Sequence, residues 1–278
     1  MIKNKYLSFL LIAGLMLTAC SSDDTVVEQK TLEPGKTYYL TVDATKGSDA
    51  TTRALTLSGS TLTASWATTE HVYVQGTLVS NSSKFWFEGT IQPQTAGTTT
   101  RLNGAISLPT GWQYSSVDEA IGSPHILNLQ FPRSGALDYT GQKGTLADIA
   151  ANYDYARAEG VRFDIKSDHI EGVTSASFEN QQAIVKFTLI DKADGTTMLS
   201  PTALTINYGS GTVSLTNIPA ATYSTNGNGI LFVAIPGFSN QTVTLTATMG
   251  NDTYTYTTSS TKTFVNGKYY EIGVKMTK

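Results

Sequence analysis

The chain has 278 residues and a formal net charge of −3, with hydrophobic residues at 40% and charged residues at 15%. Soluble domains carry about 25% charged residues, so neutral side chains, chiefly Thr and Ser, must cover this surface, as in TTRALTLSGSTLTASWATTE. A near-neutral chain lacks the basic footprint of a nucleic-acid binder, its hydrophobic content excludes a disordered acidic tail, and its one Cys excludes an internal disulfide framework and a Cys-based zinc cluster.

Lys3 and Lys5 precede an apolar run from Leu7 to Leu17, the charged and hydrophobic regions of a targeting segment. The run is shorter than the about 20 apolar residues of a membrane span. It ends in Leu17-Thr18-Ala19-Cys20, followed by Ser21, Ser22, Asp23 and Asp24. Small residues before a lone Cys resemble the lipobox of bacterial lipoproteins. The resemblance implies that residues 1–19 form a lipoprotein signal peptide and that Cys20 is acylated, which attaches the protein to the outer membrane. Several acyl chains anchor stably where one anchors poorly. The acidic SSDD resembles the surface-export signal of Bacteroidetes-type lipoproteins. An ordinary secretory signal followed by a free thiol is the alternative.

Residues 20–34 are polar and charged, the composition of a tether. Strand-like segments follow: Thr37–Val42, His71–Gln75, Lys84–Ile91, Ala183–Ile190, Ala203–Tyr208, Gln241–Met249, Asp252–Thr258 and Tyr269–Met276. Most alternate, as where Val243, Leu245 and Ala247 interleave with Thr242, Thr244, Thr246 and Thr248. Period two with β-branched residues marks half-buried strands, with Thr on the solvent face of antiparallel sheets. The longest apolar run, Ile230–Phe238, is broken by Pro236 and Gly237.

One segment changes period. Leu146, Ile149, Ala150 and Tyr153 share a helical face, and Thr145 with Asp148 three residues on forms a variant capping box. The expected fold is all-β: two tandem antiparallel β-sandwich domains, residues 54–172 and 173–278, with one short helix in the first. Each half has about the 100 residues that a seven-stranded sandwich needs.

Catalytic signatures are missing from the sequence. His71, His125 and His169 lack partners at zinc-ligand spacing except Asp168 beside His169, and neighbours on a strand face opposite ways unless a turn intervenes. No G-x-S-x-G, H-E-x-x-H or phosphate loop occurs. Asp164 with Asp168, and Asp118 with Glu119, are carboxylate pairs without a glycosidase signature. Asp191–Gly195 reads as a turn. The expectation is a non-enzymatic protein with no metal and no cofactor. Trp66, Trp86 and Trp112 with Tyr38, Tyr39, Tyr269 and Tyr270 serve either as inter-sheet packing or, if exposed together, as a sugar-stacking platform.

Arg53 is the first of only five Arg and lies in DATTRALTL, between the strand candidate at Tyr38–Val42 and the next at Ala54–Leu57. Small-residue linkers are where proteases cut; an ordinary exposed Arg is the alternative. From about Arg53 onward, TTRALTLSGSTLTASWATTEHVYV, YDYA, FENQQAIVKFTL and TFVNGKYYEIGVKM resemble the Bacteroidales-type fimbrillin (type V pilin) family and its fimbrillin-like lipoproteins. The resemblance implies a fimbrial subunit exported as a lipoprotein and cut between Arg53 and Ala54 by a trypsin-like surface protease. Residues 20–53 then comprise the tether and a removable first strand. Losing a strand exposes unpaired sheet edges, which strand addition from a neighbouring subunit fills. The removable strand maps onto Thr37–Val42 and the donor onto residues 268–276, because YYLTV and YYEIGV both open on paired Tyr. Head-to-tail contacts that do not close a ring build filaments. The implied partners are other fimbrial subunits and the outer membrane through the lipid on Cys20. Without cleavage, the expected role is a lipid-tethered anchor or glycan-binding surface lipoprotein.

Overall fold

The structure, a computed structural model, describes residues 32–46, 56–58, 61–132 and 137–278. Cys20, Arg53, Ala54 and the expected signal segment lie outside these residues. The first elements are β1 (Tyr38–Lys46), β2 (Thr56–Ser58), β3 (Thr61–Thr63), β4 (Tyr73–Thr77), β5 (Lys84–Trp86), β6 (Glu88–Gly89), β7 (Gln92–Pro93) and β8 (Thr99–Ser107). Helix α1 (Val117–Ile121), β9 (His125–Phe131), α2 (Leu146–Asn152), β10 (Ala156–Ile165), β11 (His169–Gly172) and β12 (Ala176–Asn180) follow. Next come β13 (Ala183–Asp191), β14 (Ala203–Tyr208), β15 (Gly211–Leu215), α3 (Ala220–Asn226) and β16 (Ile230–Ile235). The last are β17 (Phe238–Gln241), β18 (Val243–Met249), β19 (Asp252–Thr257), β20 (Lys262–Phe264) and β21 (Tyr269–Met276).

The fold is all-β, as its patterning predicts, and it has two hydrophobic cores. The first core is enclosed by one sheet in the order β5-β4-β9-β10-β11-β1-β8-β6, with β12 beside β1 and β10 and β7 beside β8. Reciprocal backbone bonds between Val72 and Ile91, at 2.9 and 3.0 Å, tie the β4 end of the sheet to the segment flanking β8. The sheet thereby folds over its own apolar face, which carries Leu40, Val74, Ile91, Leu102 and Leu129, all buried.

The second core lies between the sheets β16-β13-β21 and β15-β14-β18-β19, with the β17-β20 pair alongside. Strand β16 is buried along almost its whole length, which explains its unbroken apolar run: a strand covered on both faces has no reason to alternate. Gln142 closes the edge of this strand. Its side-chain amide donates to the Tyr139 and Ala234 carbonyls at 2.9 and 2.8 Å, and its Oε1 accepts from the Ala234 N–H at 2.8 Å. A buried side chain thus stands in for the missing neighbouring strand.

Three helices are present among the described residues, where patterning predicts one. Helix α2 is capped as expected, Thr145 Oγ1 accepting from the Asp148 N–H at 3.0 Å. It packs, however, on the second core: Ile149 joins Tyr139, Tyr155 and the β13 and β16 residues there. Residues 156–178 then return to the first core. Helix α1 is one short turn capped by Ser116, too brief for periodicity to reveal.

The sheets are not purely antiparallel. Strand β1 is antiparallel to β8 but parallel to β11 and β12, and β21 is parallel to β13. Parallel neighbours need long crossovers, so both strands join their sheets from far away in the sequence. β12 and β13 are nearly continuous, and β1 runs alongside the first (Lys46 opposite Phe178), β21 alongside the second (Tyr269 opposite Ile184).

Candidate functional site

The first strand is embedded in its sheet. Eight consecutive residues of β1, Tyr38 to Thr45, pair with Ile106 to Thr99 of β8. On the other side Tyr39, Leu40 and Thr41 pair with β11, and Ala44, Thr45 and Lys46 with β12. Tyr38, Leu40, Val42, Ala44 and Lys46 face inward and are buried, whereas Tyr39 is 62% exposed. Sequence patterning places this strand at Thr37–Val42; the structure extends it to Lys46 because partners lie on both sides.

Lys46 ends the strand in a way that patterning does not anticipate. Its side chain is 2% exposed and its Nζ lies 2.7 Å from Oε2 of Glu70, whose side chain is 0% exposed. The ammonium also sits 4.0 Å from the centre of the Trp66 ring and 5.2 Å from that of Phe131. Trp66 is anchored by reciprocal backbone bonds with Gly97 at 2.7 and 3.2 Å. A turn closed by the Glu70 N–H to the Ala67 carbonyl, at 3.1 Å, lets one short segment present both ring and carboxylate. Lysine is rarely buried without a partner; here an anion and two ring faces supply the attraction.

The segment expected as donor, residues 268–276, contains β21 (Tyr269–Met276), an edge strand in this structure. It pairs with β13 over eight residues, from Ile184 opposite Tyr269 to Asp191 opposite Met276. Val274 and Met276 are buried, Tyr270 and Ile272 half-buried, and the intervening Glu271, Gly273 and Lys275 exposed. Beyond it, Thr277 bridges Thr255, and Lys278 Nζ reaches Asp252 Oδ2 at 2.7 Å. That carboxylate raises the lysine pKa above its usual value through hydrogen bonding and charge attraction.

The aromatic residues do not form one platform. Tyr38 is core, and so is Trp66, edge-on to Phe178 at 5.0 Å. Trp112 packs on Phe85 at 5.1 Å, while Trp86 meets Tyr73 at 6.5 Å. Phe85 and Trp86 are consecutive in β5 and project to opposite faces, which separates the two half-buried tryptophans.

The titratable candidates are likewise dispersed. Asp168 lies in the bend before β11, so it reaches its neighbour after all: His169 Nδ1 is 2.7 Å from Asp168 Oδ1, and that bond holds the Asp168 carboxyl below its usual pKa. Asp164 pairs with Lys166 at 2.9 Å. Asp118 binds His125 Nε2 at 2.6 Å while Glu119 accepts from the Ser115 hydroxyl and N–H, which lower its pKa. His71 contacts Thr90 Oγ1 at 3.0 Å. Among the described residues no cluster of three or more His, Cys, Asp or Glu is placed to hold a metal, and no helix is long and apolar enough to cross a membrane. Asp191–Gly195 forms the expected turn, with Gly195 at φ +71.

No protein-family model matches the chain, and no curated protein matches it. Among solved structures, it is similar to a putative cell adhesion protein of Bacteroides ovatus, with TM-score 0.41, 16% identity, and coverage of 88% of this chain and 95% of that one. A fimbrial protein of the same species gives TM-score 0.39 and 11% identity over 87% of this chain, which spans 49% of that protein's length. The tip fimbrial protein Mfa3 of Porphyromonas gingivalis, with a C-terminal truncation, gives TM-score 0.37 and 9% identity over 86% of this chain and 95% of that one.

Proposed function

We propose that this protein is a structural, non-enzymatic subunit of cell-surface fimbriae. It is exported as an outer-membrane lipoprotein acylated on Cys20, cleaved between Arg53 and Ala54, and assembled by β-strand exchange with other fimbrial subunits. The observation that carries the reading is the placement of β1 inside the first sheet, between β8 on one side and β11 and β12 on the other. Arg53 lies C-terminal to β1, beyond residues 47–52, so a cut there makes β1 and everything before it a separate chain. From that point only hydrogen bonds and packing hold β1 in its sheet. Its departure opens a groove with two rows of unpaired backbone groups, the template that an incoming strand needs.

The edge strand β21 is the donor of matching character. It pairs on one side only over most of its length and presents an alternating apolar face, so leaving β13 breaks one ladder and entering the groove makes two. Edman sequencing of protein sheared from the cell surface tests the proposal. Filaments whose subunits begin at Ala54 are expected; recovery only of acylated monomers beginning at Cys20 overturns it in favour of a tethered anchor or glycan-binding lipoprotein.

A further inference from the structure

Strand exchange needs a register, because a strand that enters one residue out of step turns its apolar side chains to solvent. Resting on the exchange proposed above, we infer that the buried Glu70 site sets this register, and that Lys278 of a second copy of this chain replaces Lys46 there. Aligning residues 37–46 (TYYLTVDATK) with 269–278 (YYEIGVKMTK) matches four of ten positions: Tyr38 with Tyr270, Val42 with Val274, Thr45 with Thr277 and Lys46 with Lys278.

The inward residues correspond throughout. Tyr38, Leu40, Val42, Ala44 and Lys46 of β1 are replaced by Tyr270, Ile272, Val274, Met276 and Lys278. β21 already turns Tyr270, Ile272, Val274 and Met276 towards the core in its own sheet. Matching the first tyrosines instead, Tyr269 on Tyr38, places Glu271 at the Leu40 position and Lys275 at the Ala44 position, both in the core. Parity therefore rejects shifts by one. Shifts by two keep the parity, and here the buried pair decides. Sliding the donor forward puts Met276 against Glu70, and sliding it back puts Lys278 into the Ala44 position. Only the proposed register returns an ammonium to the carboxylate and to the faces of Trp66 and Phe131.

Two substitutions ask for accommodation. Met276 is larger than Ala44, and its flexible thioether suits an imperfect gap. Lys275 for Asp43 faces Arg101, but the Asp43 and Arg101 side chains are 69% and 57% exposed and such surface pairs contribute little. Lys278 is exposed in its own subunit and held only at the surface by Asp252, so it is free to be exchanged.

The full-length chain, cut by limited treatment with a trypsin-class protease, supplies the assay, with polymer yield read by size exclusion. Lys278→Glu is expected to lower the yield at least tenfold, and so is the inverted site Lys46→Glu with Glu70→Lys. Combining all three changes restores assembly, since the inverted site then receives an inverted donor. A Thr99→Cys and Thr277→Cys chain supplies a second readout: Thr45 faces Thr99, so the register predicts an intersubunit disulfide. Normal yield from Lys278→Glu, or absence of that cross-link in polymers, overturns the register while leaving exchange intact. Normal polymers from a chain lacking residues 268–278 overturn exchange itself.

Discussion

Replacing Lys46 by Met keeps the unbranched apolar stem but ends it one atom short, removing the ammonium from a site where Glu70 is fully buried. The carboxylate then loses the ammonium at 2.7 Å, and the rings of Trp66 and Phe131 lose the cation that they face. Removing one partner of a buried ion pair costs about 3–5 kcal/mol. With a urea dependence of about 2 kcal/mol per M, the unfolding midpoint of the first core falls by roughly 2 M. Tryptophan fluorescence reads this transition selectively, because Trp66 and Trp112 belong to the first core and Trp86 to its sheet, and the chain has only these three. The companion variant Lys46→Met with Glu70→Leu removes both charges. It is expected within about 1 kcal/mol of the native chain, or more stable, as when other buried pairs are replaced by apolar residues. A midpoint for Lys46→Met within about 0.3 M of native, or a double variant as unstable as the single, would refute the reasoning.

Gln142→Leu strips the Ala234 N–H and carbonyl and the Tyr139 carbonyl of their partner; at about 1–3 kcal/mol for each buried group left unsatisfied, calorimetry is expected to show a clear loss in the second-core transition. Thr145→Ala removes the cap of α2 and lowers the same transition by about 1 kcal/mol, while the tryptophan-detected transition stays in place. Asp194 accepts from the Thr197 hydroxyl and from the Thr196 and Thr197 N–H groups, which pull its pKa down to about 2. A depressed carboxylate stabilises the fold above its unfolded value of about 3.9, and this contribution disappears as pH falls through that value towards 2. Carboxyl NMR checks the titration, and Thr197→Val is expected to move its midpoint upwards.

Much of the β architecture is legible residue by residue. Ala203–Tyr208 and Tyr269–Met276 have the same bounds in sequence and structure, because alternation and flanking turn residues agree there. The capping interaction of Thr145 with the Asp148 N–H was also readable, since the contact spans a single turn. The core onto which α2 packs was not. Its apolar face names a need for burial but no partner, and the chain crosses to the second core at residues 137–155 before returning to the first. Lys46 was hidden for the same reason. In Thr-Lys-Gly it reads as a surface residue, and only the turn bringing Glu70 back from 24 positions away accounts for its burial.

The sequence by itself determined the all-β class, the alternating faces of its strands, the cap of α2 and the likeness between the segments at residues 37–42 and 268–276. These follow from steric and solvation rules that act within a few residues. Tertiary structure decided which strands became neighbours, including the parallel placement of β1 beside β11 and β12 and of β21 beside β13. It also decided that Lys46 meets Glu70. Such contacts depend on how distant segments fill a common core, and no local pattern encodes them.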